Sequence, residues 1–227
     1  ERIIVANAHR HFALVARGQI PKELLVLRLA GPQRHQPQLL RHVYLHLARL
    51  TGQEISQMSV AENSNAAGYK TNQPTVGRYI HYLADSLLIR EFRRYPLARK
   101  TTSRVPSKIT LTDLGVRNAI FRGAPSLAES APDVVGPLVE TLVQSCLRGP
   151  NLQVHYYRDN VERGNRRSPL AEVDFVVEDM DGTVVPVEVK FRKTIGSEDI
   201  RGLTHFIESF KSPCGVLVTR DSWQWDP

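Results

Sequence analysis

Cysteine, methionine and tryptophan are all scarce, with 2 of each in 227 residues. Cys146 and Cys214 cannot build a disulfide framework or a four-cysteine zinc site, and they read as reduced, mostly buried thiols. No apolar run reaches the roughly 18 residues that a membrane-spanning helix needs. The N-terminus also lacks the basic, apolar and small-residue zones of a signal peptide, so the expected location is the cytoplasm. A G-x-x-x-x-G-K-[ST] loop is absent, which excludes ATP binding by that route. The chain opens at Glu1 within an apolar pattern (IIVA, then FALVA), and reads as the interior of something longer.

What is present is ordinary globular material with a positive surplus. Hydrophobic residues make up 41% and charged residues 23%, enough for one large core or two small ones. The net charge of +7 favours a polyanionic partner. The composition and element pattern together predict a mixed α/β chain in three parts: a helical piece over 1–50, a winged helix-turn-helix over 51–122, and an α/β domain over 133–222.

In the first part, Leu39, Leu40, Val43, Leu47 and Leu50 recur at helical spacing. His42 and His46 lie four apart on that helix without a neighbouring acid or thiol, and read as solvated or capping residues. A short helix is expected within Glu54–Ala66. A second follows from Thr75 to Leu88, with Val76, Tyr79, Ile80, Leu83 and Leu87 on one face. A strand over Ile89–Tyr95, a loop over 96–107 and a returning strand at Lys108–Leu111 complete the winged-helix order. Seven cations stand between Arg90 and Lys108 (Arg90, Arg93, Arg94, Arg99, Lys100, Arg104 and Lys108) against the acid Glu91. Beside a helix-turn-helix such a run is a candidate DNA grip, joined by Arg78 on the second helix and by Arg166 and Arg167 further on. The Gly-, Pro- and Ala-rich stretch 123–132 marks a boundary.

Beyond it the pattern reads αβββαβ: a helix over Val134–Leu147, strands at Gln153–Arg158, Ala171–Val177 and Val184–Phe191, a helix over Glu198–Phe210, and an apolar strand at Gly215–Thr219. The helix should bury Val135, Leu138, Val139, Leu142, Val143 and Cys146. Strict alternation puts Asp174 on one face of its strand, and Glu188 and Lys190 together on a face of the next. A three-residue Met180-Asp181-Gly182 loop with Gly182 in the left-handed region pairs Asp174 with Glu188 and brings the two acids to a shared face. Two carboxylates held that close need a cation, and Mg²⁺ or Mn²⁺ accepts oxygen ligands while remaining free to meet a phosphate. A lysine beside them can steady an attacking water or the charge that develops on phosphorus.

The runs EVDFVV and VPVEVKFR resemble the PD-(D/E)XK nuclease superfamily. The resemblance implies catalytic roles for Asp174, Glu188 and Lys190, and a metal held by Glu140, Asp174 and Glu188, with Glu140 as the acid of the first helix. Val173 stands where the motif's proline would be. Over roughly residues 40–220 the chain also resembles the C-terminal region of bacterial AAA-superfamily ATPases, the part called domain of unknown function 4143. Gln73-Pro74-Thr75-Val76, Pro106-Ser107-Lys108-Ile109, Asp113-Leu114-Gly115 and Gly136-Pro137-Leu138-Val139-Glu140 carry that likeness. It implies an ATPase module upstream, with residues 1–50 as the tail of its lid. Two functions follow as expectations: a divalent-metal-dependent DNA nuclease, or a non-cutting DNA-binding or regulatory module coupling the ATPase to a partner.

Overall fold

The structure, a computed structural model, describes residues 3–7, 36–96, 106–121, 132–163, 166–192, 194–220 and 224–225. Among them are six helices and two sheets, a mixed α/β chain. No helix of the described residues is long and apolar enough to cross a membrane.

The first half is built on three helices, α1 (Pro37–Arg49), α2 (Gln57–Ala66) and α3 (Gln73–Asp85). Ser56 and Asn72 accept the amides of Ser59 and Thr75, which starts α2 and α3 at those residues. Leu39, Val43 and Leu47 of α1 meet Val60 of α2 and Val76, Ile80 and Leu83 of α3 in one buried cluster. A three-stranded antiparallel sheet closes it, formed by β2 (Gln53–Ile55), β3 (Ile89–Phe92) and β5 (Ser107–Leu111) in the order β2-β5-β3. Ile89, Ile109 and Leu111 face the helices. The opposite face carries Phe92 paired with Lys108, and Arg90 paired with Thr110. A short helix, α4 (Leu114–Ile120), follows with Asp113 as its cap. The segment expected to return as a plain helix at 54–66 thus begins with a strand, because Gln53–Ile55 finds β5 as a partner.

The second half holds α5 (Pro132–Cys146), β6 (Gln153–Arg163), β7 (Arg166–Glu178), β8 (Val184–Lys190), α6 (Ser197–Phe210) and β9 (Gly215–Thr219), in the element order expected. With β1 (Ile3–Asn7), β4 (Arg94–Tyr95) and β10 (Gln224–Trp225) they form a seven-stranded sheet ordered β10-β1-β9-β8-β7-β6-β4. Helix α5 covers one face, burying Val135, Val139 and Val143 against Phe175, Val187 and Val189. Helix α6 covers the other, with Leu203 and Phe206 against Tyr157, Val173, Val176 and Leu217.

Further readings change. The helix expected over Thr75–Leu88 ends at Asp85, and Leu87, expected on its buried face, has φ +56 and is 74% exposed. The single strand expected over Ile89–Tyr95 is split, because Arg94–Tyr95 pairs with β6 in the other sheet. Residues 3–7, taken as part of a helical piece, form a strand between β9 and β10, since a β-branched run gains two ladders there. Arg166 and Arg167, taken as loop residues, lie in β7 opposite Arg163 and Glu162, because β6 and β7 continue as a ribbon past the buried sheet. Cys146 is exposed at the end of α5 and Cys214 half-buried, so neither is a core thiol.

Candidate functional site

Backbone register sets the geometry of the site. Strands β7 and β8 pair Phe175 with Val187 and Glu178 with Val184. The turn closes through Asp179 N–H to the Thr183 carbonyl at 3.1 Å, with Gly182 at φ +78. That is the expected loop, and it brings Asp174 level with Glu188.

The shared face does not follow from it. Between β6 and β7 the register slips where His155 pairs with Val176 but Tyr157 with Val173. Asp174 and Phe175 therefore stand opposite Tyr156 alone, a β-bulge that breaks alternation. Val173 and Val176 both join the cluster under α6, whereas Phe175 joins the cluster under α5. Along β8 alternation is regular: Val187 and Val189 lie with α5, and Glu188 and Lys190 on the other face. Expected as partners on one face, Asp174 and Glu188 instead leave the sheet on opposite sides.

Each acid consequently has its own lysine. On the α5 face Lys108 is 4% exposed, with its ammonium 2.7 Å from Oε2 of Glu140 and 3.2 Å from Oδ1 of Asp174. The same ammonium stands 4.9 Å from the centre of the Phe175 ring, a cation–π contact. The other oxygen of Asp174 accepts the Val189 amide at 2.9 Å. On the opposite face Glu188 accepts the Lys190 ammonium, and its second oxygen accepts the Asp174 amide at 3.3 Å.

Desolvation and charge shift these groups in ways that follow from the pairing. Burial and the Asp174 charge push the Glu140 carboxyl up to about 7, against the pull of Lys108. Burial and the same aspartate push Glu188 up to about 8, against the pull of Lys190. For Lys108 burial works against the charged form, but Asp174 and Glu140 outweigh it and hold the ammonium above its ordinary range. Lys190 is raised too, with Glu188 and then Asp174 and Asp199 overcoming its desolvation.

A divalent cation does not fit this arrangement. Both oxygens of Asp174 and both of Glu188 already accept protein donors, and an ammonium bridges Glu140 to Asp174. Among the described residues no group of three or more His, Cys, Asp and Glu side chains is placed to hold a metal ion. His42 turns its Nε2 to Asn63, 3.2 Å away.

The remaining expected contacts divide into surface and interior. Arg78 and Arg93 are exposed, and Arg90 is half-buried with Arg148 close enough to lower its pKa after desolvation does. Arg94 is half-buried and donates to the Arg158 carbonyl. Lys108, expected among the DNA-gripping cations of the wing, is interior, because the polar face of β5 is covered by α5 and β7. Arg99, Lys100 and Arg104 lie outside the described residues, as do the side chains of Arg166 and Arg167.

Sequence reading missed the polar seam joining the halves. Thr51 and Thr141 hydroxyls are 3.0 Å apart, Thr110 donates to Gln144 at 3.0 Å, and Arg158 pairs with Glu54 at 3.0 Å and Glu172 at 2.7 Å. Alternation of Lys108 and Thr110 with Ile109 and Leu111 was its one visible signal, and that pattern equally describes a strand facing water.

Two family models match the chain: Domain of unknown function (DUF4143) over residues 135–224, and Domain of unknown function (DUF8612) over residues 27–126. No curated protein and no solved structure matches it.

Proposed function

We propose that this chain is a non-cutting DNA-binding module: a winged helix joined to a PD-(D/E)XK-like domain, acting as the DNA-facing end of a larger AAA-type ATPase. The observation that carries the non-cutting reading is the position of Lys108, whose ammonium bridges Glu140 and Asp174 at 2.7 and 3.2 Å. Phosphodiester hydrolysis of the nuclease type needs a cation that can be shared with the substrate phosphate. An ammonium on a buried strand supplies charge without open coordination positions. The bulge adds to this by sending Asp174 and Glu188 to opposite faces.

Support for the winged-helix part comes from three helices closed by an antiparallel sheet in the order β2-β5-β3. Support for the second part comes from the α5-β6-β7-β8-α6-β9 order with helices on both faces. Duplex DNA as partner fits the net charge of +7 and the exposed Arg78 and Arg93 near α3 and β3.

The test is a paired assay on labelled linear, supercoiled and four-way-junction DNA with Mg²⁺ or Mn²⁺. Salt-dependent binding without cleavage is the expected result. Cleavage abolished by Lys190→Ala would overturn the non-cutting reading, and absence of binding to every substrate would overturn the DNA partner.

A further inference from the structure

We infer that Lys108 is the resident cation of the α5-face acid pair, and that neutralising it opens a divalent-cation site between Glu140 and Asp174. The acid pair is then a receptor for an ammonium of the same chain, and the winged-helix half is clasped to the other half through it.

Charge and position carry this. Lys108 is 4% exposed and Asp174 8%, so their charges are held away from water and need each other. The next carboxylate, Glu54, stands opposite Lys108 in the β2–β5 ladder but is paired with Arg158 at 3.0 Å, and Glu188 on the opposite face has Lys190 instead. The strand that brings Lys108 in is fixed on both sides. Ile109 and Leu111 are anchored in the helical core of the first half, and Thr110 is bonded to Gln144 of α5. Phe92, paired with Lys108 across the ladder, packs edge-on against Phe175 with ring centres 5.9 Å apart. The ammonium is therefore delivered by a rigid element to one spot between two carboxylates from different elements.

Taking the charge away leaves a buried carboxylate pair whose helix and strand are still held by their own cores. Two carboxylates with water completing the shell are a donor set that Mg²⁺ and Mn²⁺ accept. A methionine at 108 keeps the length and apolar contact of the lysine stem and removes only the ammonium. The inference rests on the proposed reading in taking the acid site as non-cutting; DNA affinity of the wild type is a separate measurement that can fail without touching the metal result.

The experiment titrates Mn²⁺ into the 227-residue chain, following free Mn²⁺ by electron paramagnetic resonance. Wild type is expected to leave Mn²⁺ free, Lys108→Met to take up about one equivalent, and Lys108→Met/Asp174→Asn to lose that uptake. Wild type binding Mn²⁺ as well as Lys108→Met does would overturn the inference, as would a folded Lys108→Met that takes up none. If Lys108→Met is unfolded without metal, circular dichroism decides: refolding on Mn²⁺ addition supports the assignment, and no refolding overturns it.

Discussion

Asp174 and Phe175, consecutive in β7, leave the strand on the same side because both stand opposite Tyr156. That bulge aims Asp174 at Lys108 and leaves Glu188 behind the sheet with Lys190. Energetic coupling should follow the same division. A double-mutant cycle between Lys108→Met and Asp174→Asn is expected to show roughly 1–3 kcal/mol of interaction, whereas Lys108→Met with Glu188→Gln should add to within about 0.5 kcal/mol. Urea unfolding of the three single and two double variants measures both. Equal coupling to both acids would mean that they share a face after all.

Lys108→Met alone is expected to be costly, on the order of 3–5 kcal/mol, because it strands a buried carboxylate. Asp174→Asn should cost less than Lys108→Met, since the amide keeps an acceptor for the Val189 N–H. Thermal or urea unfolding without divalent metal checks the ranking. A Lys108→Met chain as stable as wild type would show that the ammonium contributes nothing to joining the halves.

Glu140 and Glu188 are pushed up from the ordinary 4.5 to about 7 and about 8, mainly by burial and then by Asp174. An acid whose folded pKa is raised holds its proton more readily folded than unfolded. Its contribution to stability is complete below about 4.5 and lost as pH rises through the folded value. The melting temperature should therefore fall between about pH 5 and about pH 9. Glu188→Gln should flatten that slope, because the amide mimics the neutral acid at every pH. An unchanged slope in Glu188→Gln would assign the pH dependence elsewhere.

The sequence made the helices and the β7–β8 register legible through local signals. Apolar spacing marked α1 and α3, and Gly182 after Asp181 fixed the hairpin and with it the level of Asp174 and Glu188. Alternation then failed at one residue. Nothing in EVDFVV announces a bulge, since its cause is the register that β7 takes against Tyr156 of the preceding strand β6, not the local run of residues. Lys108 was misjudged for a related reason: a polar residue every second position in Ser107–Leu111 fits a wet face or a face covered by another sheet. Choosing between them requires knowing that Phe92 meets Phe175. Strand β1 was likewise invisible, because Ile3–Asn7 takes its conformation from β9 and β10.

Gly202 lets α6 reach the sheet beside the site. A Cβ at that position would run into the Glu172 carbonyl oxygen, two residues before Asp174. Backbone cannot yield as a flexible side chain can, so Gly202→Ala is expected to destabilise by about 1–3 kcal/mol despite the better helix propensity of alanine. Gly136→Ala, on α5 with open space around the new methyl, should be neutral or stabilising. Chemical denaturation of the two variants compares them directly, and the same sign for both would contradict the close approach of α6 to β7.

The arginines can be sorted by where their charge goes. Arg78 and Arg93 are exposed, and the one side-chain bond described for either runs from Arg78 to the neutral Thr75 hydroxyl at 3.2 Å. Arg94 is half-buried and committed to the Arg158 carbonyl, beside the Glu54–Arg158–Glu172 pairs that join the halves. If DNA lies along α3 and β3, Arg78→Ala and Arg93→Ala should each weaken duplex binding and lower the slope of log affinity against log salt by about 1. Their melting temperatures should stay near wild type. Arg94→Ala should do the reverse, lowering the melting temperature while leaving the salt slope unchanged. Fluorescence anisotropy over a salt series, with melting curves on the same samples, reads both quantities. A salt slope that falls with Arg94→Ala and not with Arg93→Ala would move the DNA path away from α3 and β3 toward β4 and β6.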